Sequence, residues 1–502
     1  MSLDEFFAKR ILKKDYTEER ALFLKALMQS AREGDLCLQH EPIDLPTHIV
    51  EEGKELFPKS PIIRQGDRYY LQKNWVYETY ILQQTERLRS LKPPPFHTQL
   101  QPEEKLLPEQ AKAIETAFHH SFSIICGGPG TGKTYTAGHL IRRLIPSLKK
   151  VCLAAPTGKA AAHLQEALFS QGPLPPNVKV EATTLHRLLR LQPGENRLFS
   201  GKKIDADLVL VDEASMLDIP LLAHLLEAIG DETRLVLLGD PDQLPPVEMG
   251  SLFPEMAAQF GSYLNKSMRM EETSLSSAIN RGELPENLID STLTFDETLK
   301  ERLFERINPL LSWEEPDPKV CLRQLNHFRI LNALRQGPFG TEALNRQIIQ
   351  EMARRIKPGQ WWAAPILITR NEPRLDLYNG TCGILIGQCK ARFTLEDSIA
   401  YFGDRSYKTL SPFEPAFCLS IHKSQGSEFE EVLALFPMGS EKFGREALYT
   451  AVTRAKKKVK VVGEEEILRK MASYRSRRTS GLFSRSGSFS GGGNCLSAKI
   501  IG

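Results

Sequence analysis

The sequence predicts an α/β fold in which two helix-covered parallel sheets follow one another along the chain. Three observations carry this expectation. Short apolar stretches alternate with helical ones from about residue 105, and a second such series begins after about residue 325. Alternation of this kind builds parallel sheets, because each strand reaches the next through a helical crossover. A glycine-rich segment also stands directly after the first strand of the first series and opens a helix, the place where phosphate-cradling loops occur. At 502 residues the chain exceeds one hydrophobic core, so three or four compact units of roughly 100 to 150 residues are expected.

Residues 1–100 mix short helical patterns with an aromatic stretch, DRYYLQKNWVYETYILQQ, and end at LKPPPF, where three prolines make a stiff connector. A first α/β domain over 101–262 takes its strands from SFSIICGG, VCLAAP, DLVLVDE and RLVLLGD. Within it QPGENRLFSGKKIDAD, about 190–206, reads as a hairpin-like insert bearing Lys202 and Lys203. FRILNAL, APILIT, FCLSIH, EVLALF and KVKVVG predict a second domain of the same class over 263–380 and 413–480. Between its halves, 381–412 is rich in strands and turns and predicts a small β insertion. Residues 481–502 are rich in Ser, Gly and Arg and predict a mobile tail.

Composition excludes several classes. With 41% hydrophobic and 25% charged residues the chain is an ordinary globular sequence. A net charge of +3 is too small to hold nucleic acid by bulk attraction, so any such contact must come from local strips. The charged N-terminus has no signal-peptide core and no run of about 18 apolar residues occurs, which predicts a cytoplasmic protein without a membrane span. The eight cysteines include no C-x-x-C pair and are expected as buried thiols rather than metal ligands.

The phosphate loop runs through Gly127, Gly128, Pro129, Gly130, Thr131, Gly132, Lys133 and Thr134, matching G-x-x-x-x-G-K-[ST], with Tyr135 following. Its glycines let backbone N–H groups curl around a β-phosphate, Lys133 neutralises β/γ oxygens, and the Thr134 hydroxyl is a ligand for Mg2+. Asp212 and Glu213 end the apolar strand in DLVLVDE, where paired acids divide the work: Asp212 holds the metal through its water shell and Glu213 orients and deprotonates the attacking water. Gln243, in LLGDPDQLPPV, is a candidate γ-phosphate sensor whose neutral amide donates to phosphate and accepts from water.

Beyond the phosphate loop, LAAPTGKAAAHL (153–164), ATTLHRLL (182–189), GDPDQLPPV, SIHKSQGSEFEEV (420–432) and EALYTAVTRAKKKV (446–459) resemble, in order, the motifs of superfamily 1 helicases. APTGKAAAHL, TTLHRLL, VDEASMLD and HKSQGSEF look like the RecD-type branch, whose members move from 5′ to 3′. ALRQGPFGTEALN, ITRNEPRLDLYNGTCGIL and RRTSGL are similar to the exodeoxyribonuclease V alpha chain family, the RecD subunits of RecBCD, and DRYYLQKNWVYE resembles that family's first domain, which docks onto the beta and gamma chains.

The resemblance implies two tandem RecA-like P-loop NTPase domains with a mixed N-terminal domain and a small SH3-like β insertion. It implies ATP and Mg2+ as cofactors, single-stranded DNA and duplex DNA ends as partners alongside the beta and gamma chains, and recombinational double-strand break repair as the setting. Gln110 would read the adenine edge, and Gly426 and Glu428 would complete the nucleotide site. Arg454, in VTRA, and Arg269, in KSMRM, match arginines that reach across the domain cleft to the γ-phosphate. Met268 departs from the pattern, since relatives carry an adenine-stacking aromatic there, and Tyr263 is a candidate substitute. DNA contacts fall on Pro156, Thr157, Lys159, Thr184 and His186 in the first domain and on Ser420, His422, Lys423 and Ser424 in the second. A free-standing RecD-like helicase is the nearest alternative, and a chiefly regulatory binding subunit comes from another class.

Overall fold

The computed structural model describes residues 2–93, 106–191, 201–246, 250–266, 270–308, 313–408, 412–475 and 479–485, apart from single positions 297, 315, 371, 373, 376, 378 and 397. Met268 and Arg269 lie outside the described residues, as do 192–200 of the hairpin-like insert and 486–502 of the expected tail. Among the described residues no helix is long and apolar enough to cross a membrane.

The N-terminal unit sets the helices Leu3–Leu12 and Glu18–Arg32 against a four-stranded sheet of β1 (Cys37–Gln39), β2 (Val50–Glu52), β3 (Ile62–Gln65) and β4 (Arg68–Leu71), in the order β1-β4-β3-β2. Ser2 and Thr17 start the two helices by accepting from the backbone N–H groups of Glu5 (3.2 Å) and Arg20 (3.3 Å). The following helix, Gln72–Ser90, is apolar on more than one side because it has two neighbours. Trp75 packs on Tyr70 of the N-terminal sheet, while Tyr77, Tyr80 and Ile81 enter the core of the next domain beside Leu221, Leu222 and Leu225.

That domain is a six-stranded parallel sheet of β5 (Phe122–Gly127), β6 (Lys150–Ala155), β7 (Lys179–Thr184), β8 (Leu208–Val211), β9 (Arg234–Gly239) and β10 (Gly261–Leu264), in the order β10-β5-β9-β8-β6-β7. The four apolar stretches singled out in the sequence are its four inner strands, and β5, β8 and β9 are buried at every position. The two edge strands escaped notice for a physical reason. KVEATT in β7 is half exposed and polar, and GSYL in β10 is four residues long. Because β10 pairs with β5, the sheet extends to Leu264, past the boundary expected at 262.

The second domain has a parallel sheet of β11 (Phe328–Asn332), β17 (Cys418–Ser420), β18 (Phe429–Leu435) and β19 (Ala455–Val462), in the order β17-β11-β18-β19. The β insertion is larger than 381–412. Its antiparallel sheet contains β12 (Trp361–Ile368), β13 (Cys382–Gln388), β14 (Ser398–Phe402), β15 (Arg405–Tyr407) and β16 (Phe413–Pro415), in the order β15-β14-β13-β12-β16. APILIT, expected in the parallel sheet, is therefore a strand of the insertion. Trp361 to Leu367 pair residue by residue with Gln388 back to Cys382, a partner close in sequence that costs little loop-closure entropy.

The expected tail also begins as bound structure. Just before it the Thr479 carbonyl accepts from Leu36 N (2.9 Å), and within it Leu482 is buried and Arg485 is fully enclosed against the helix Gln72–Ser90.

Candidate functional site

The phosphate loop joins β5 to the helix Lys133–Leu144. Gly127 has no alternative, since a Cβ there would stand 2.8 Å from the Leu264 carbonyl of the adjacent β10. Gly132 starts the helix in a left-handed conformation, φ +82°. Thr131 closes the loop by donating to the Gly128 carbonyl (2.8 Å), and Thr136 donates to the Gly132 carbonyl (2.8 Å). The Lys133 ammonium lies over the loop, donating to the carbonyls of Gly127 (2.6 Å) and Gly128 (3.1 Å). Thr134 is half-buried at the first helical turn, Tyr135 is exposed against the His139 ring, and Cys126, one residue before the loop, is buried.

Gln110 touches this loop, but its amide is engaged at both ends. Oε1 accepts from Leu107 N (3.0 Å), and Nε2 donates to the Thr131 carbonyl (3.2 Å). The residue expected to read adenine therefore buttresses the phosphate loop in this conformation.

β8 carries the acidic pair to the loop's open side. Asp212 is buried, and its Oδ1 accepts from Glu213 N (2.8 Å). Burial pushes the Asp212 carboxyl above its usual range, opposed by the Lys133 charge. Burial and then the Asp212 charge raise Glu213, opposed by Arg454 and Lys133. Glu213 also holds φ 53°, a left-handed backbone that costs a non-glycine residue on the order of 1 kcal/mol. Strain of this kind persists where the surroundings fix a side chain's direction, here between the phosphate loop and the second domain.

Across the cleft, the second domain grips the loop that follows β9. Tyr449 Oη donates to Asp240 Oδ2 (2.9 Å), Thr450 Oγ1 accepts from Leu244 N (2.7 Å), and Gln425 Nε2 donates to the Leu244 carbonyl (2.6 Å). Asp242 receives Asn280 Nδ2 (3.0 Å) and Arg475 Nη2 (2.6 Å). Gln243 stands among these contacts, buried, with its Nε2 donating to Asp240 Oδ2 (3.3 Å). Arg454 is buried in the same interface, donating to the carbonyls of Thr450 (3.2 Å) and Ser427 (3.4 Å). A cavity of about 170 Å³ opens beside Gly128 and Pro129, walled by Tyr263, Ser277, Asn280 and Tyr449. Tyr263 is thus at the cleft, as a substitute for the missing aromatic requires. Tyr449, Thr450 and Gln425 lie within motifs quoted above, yet no spacing in the sequence shows which of their side chains cross the cleft.

Seven of the nine expected DNA contacts fall into three groups. His186 is exposed and Pro156 half-buried, open to a ligand. Thr157, Thr184 and Ser420 use their hydroxyls locally: Thr157 and Thr184 cap the helices they precede by accepting from the N–H groups of Ala160 (3.3 Å) and Arg187 (3.4 Å), and Ser420, at the end of β17, accepts from Lys423 N (3.3 Å). His422 packs edge-on against Phe443, ring centroids 5.9 Å apart, and Lys423 is ion-paired with Glu414.

Two residues differ from expectation. Ser424 is fully buried and donates to the Ile421 carbonyl (2.7 Å), so it supports the turn and does not face a strand. Lys159 reaches across the cleft to Ser427 Oγ (3.0 Å), with desolvation lowering its pKa. Gly426, φ +68°, backs onto Thr157, and the exposed Glu428 sits 3.7 Å from the Lys456 ammonium.

Comparison with known proteins decides the family. Residues 110–249 match the family described as AAA domain, and residues 415–462 match the UvrD-like helicase C-terminal domain. The RecBCD enzyme subunit RecD of Mycolicibacterium smegmatis is 33% identical over 93% of this chain and 92% of its own length. The chain belongs to the RecD family. The RecD subunit of Haemophilus influenzae is 31% identical over 76% of this chain and 73% of its own length. The ATP-dependent RecD2 DNA helicase of Deinococcus radiodurans is 30% identical over 69% of this chain and 48% of its own length. As a RecD family member the chain is an ATP-dependent DNA helicase, and its two parallel-sheet domains are the tandem RecA-like motor of superfamily 1.

Proposed function

We propose that the chain is the 5′ to 3′ motor of a RecBCD-type helicase-nuclease, hydrolysing ATP with Mg2+ to move along single-stranded DNA at duplex ends during recombinational break repair. One arrangement carries the reading: Arg454, brought by the second domain, sets its charge against Glu213 of the first domain beside Lys133 and the phosphate loop. A cation that enters the site only when the domains close offsets charge developing on the phosphoryl group, worth about 10³ to 10⁵ in rate, and links hydrolysis to closure. Arg269 takes the second cross-cleft place through its motif alone.

Thr134 and Asp212 are the residues to hold Mg2+. They suit it as hard oxygen donors, one of them a buried carboxylate one residue from the proposed general base. Mg2+ held there would offset phosphate charge, while Glu213 takes the proton of the attacking water and Gln243 monitors the γ-phosphate. Proline and hydroxyl positions at 156, 157, 184 and 420, with His186 and His422, track the DNA backbone without reading bases.

The N-terminal unit is the surface for the beta and gamma chains. That reading is supported by a RecD-subunit match extending over 93% of this chain, against 69% for the free-standing helicase.

The test is unwinding of duplexes with a 5′ or a 3′ single-stranded tail by the purified chain, alone and with candidate beta and gamma chains. Opening of only the 5′-tailed duplex, lost in Lys133→Ala, is expected. Opening of the 3′-tailed duplex would overturn the polarity, and full activity of Lys133→Ala would overturn the nucleotide site.

A further inference from the structure

The loop after β9 holds a carboxylate with three donors converging on it. Asp240 is buried, its Oδ1 accepts from Asp242 N (3.1 Å), and its Oδ2 accepts from both Tyr449 Oη (2.9 Å) and Gln243 Nε2 (3.3 Å). A carboxylate only accepts, so the end of the Gln243 amide that meets it must be the NH2 group. The other end, Oε1, is buried and has no hydrogen-bond partner among the described residues. A buried carbonyl oxygen left unpaired costs about 1 to 3 kcal/mol, and such an atom persists where a donor completes it at some stage of the working cycle.

Tyr449 belongs to the other motor domain. Its ring is buried, and its hydroxyl stands where a Cβ on Gly128 would come within 2.9 Å, so it abuts the phosphate loop as well as Asp240. Burial and the Asp240 charge hold the phenol far above the ordinary tyrosine range, which keeps it a donor at neutral pH.

We propose that Tyr449 is a positioning residue for hydrolysis: through Asp240 it fixes the Gln243 amide so that the carbonyl oxygen, not the NH2 group, is offered to the attacking water. The proposal rests on the reading of Gln243 as the residue at the γ-phosphate. It narrows that residue's role from a two-way amide to an acceptor of a water O–H. It also supplies the coupling, since Tyr449 braces the Asp240 carboxylate in this position only while the second domain presents it. When the domains part, the carboxylate loses that donor and is released to swing, and the Gln243 amide it holds moves with it.

The experiment is steady-state ATP hydrolysis, stimulated by single-stranded DNA, in Gln243→Ala, Tyr449→Phe, Asp240→Asn and the double variants with Gln243→Ala. Tyr449→Phe keeps the ring and its packing. It is expected to lower kcat about tenfold while the KM for ATP changes less than about twofold, the scale of one hydrogen bond to a charged group. Asp240→Asn gives Gln243 an amide partner that lets it turn either way, and should produce the same kcat loss with KM unchanged. Each double variant should be no slower than Gln243→Ala alone, because the upstream residues act only through that amide. Multiplying losses in the double variants, or an unchanged kcat in Tyr449→Phe, would overturn the proposal. Full turnover by Gln243→Ala would instead overturn the underlying reading of Gln243.

Discussion

Arg485 sets Nη1 2.9 Å from Glu78 Oε1, and neither side chain is exposed to solvent. The contact joins the far end of the described chain to the helix Gln72–Ser90. Arg485 also donates through Nη2 to Thr79 Oγ1 (2.6 Å) and lies 3.7 Å from the Trp75 ring centroid, while Gly481 N donates to Glu78 Oε2 (3.1 Å). Removing one member of such a pair leaves a buried charge uncompensated, at a cost of about 3 to 5 kcal/mol. Arg485→Ala should therefore lower the unfolding free energy by that amount in denaturant titrations followed by tryptophan fluorescence. A change below about 1 kcal/mol would mean that the segment is not docked in solution.

The same segment creates a pH dependence. Glu255 accepts a hydrogen bond from Ser480, and burial pushes its carboxyl from 4.5 up to about 7, with the Ser480 hydroxyl opposing and the Glu78 charge adding to the rise. Its folded-state pKa is raised, so the folded chain binds this proton more tightly than the unfolded chain. The stabilisation is fully present below about 4.5 and is lost as pH rises through about 7. Glu255→Gln should flatten the fall in Tm across that window relative to the parent chain. An unaltered slope would count against this site as its source.

Gly127 tests how tightly the phosphate loop is built. A Cβ there meets backbone, the Leu264 carbonyl at 2.8 Å, and not only the movable Thr131 hydroxyl. Gly127→Ala must push β10 away from β5. The expected effect is about 1 to 3 kcal/mol of stability and weaker nucleotide binding, measured by thermal unfolding with and without ATP. Retention of the full ATP-induced rise in Tm would show that the loop yields.

The parts of the site that are readable in the sequence are those whose chemistry is local. A strand, a glycine turn and a helix in succession place Lys133 and Thr134, and a strand end places Asp212 and Glu213, with no knowledge of distant residues. The contacts that escaped are long in sequence: Tyr449 meets Asp240 from 209 positions away, and Arg485 meets Glu78 from 407. A Ser- and Arg-rich segment reads as solvated until its buried carboxylate is known. APILIT reads equally well as a strand of either sheet, because a fully buried apolar run carries no mark of parallel or antiparallel pairing. Motif membership likewise named Ser424 and His186 as one kind of residue, although only one of them faces outward.

That difference gives a sharp comparison. Ser424 is wholly buried with its hydroxyl on the Ile421 carbonyl, whereas His186 is exposed at the start of the helix Leu185–Leu188. Ser424→Ala removes one internal hydrogen bond and should cost about 1 kcal/mol of stability while leaving the Kd for single-stranded DNA within about twofold of the parent. His186→Ala removes no buried contact and should leave Tm unchanged. It should weaken single-stranded DNA binding about tenfold, the scale of one lost hydrogen bond to a charged group. Fluorescence anisotropy with a labelled oligonucleotide, run beside thermal unfolding, separates the two. Weaker DNA binding in Ser424→Ala at unchanged Tm would return that residue to the DNA track and imply that the turn it supports opens when a strand is bound.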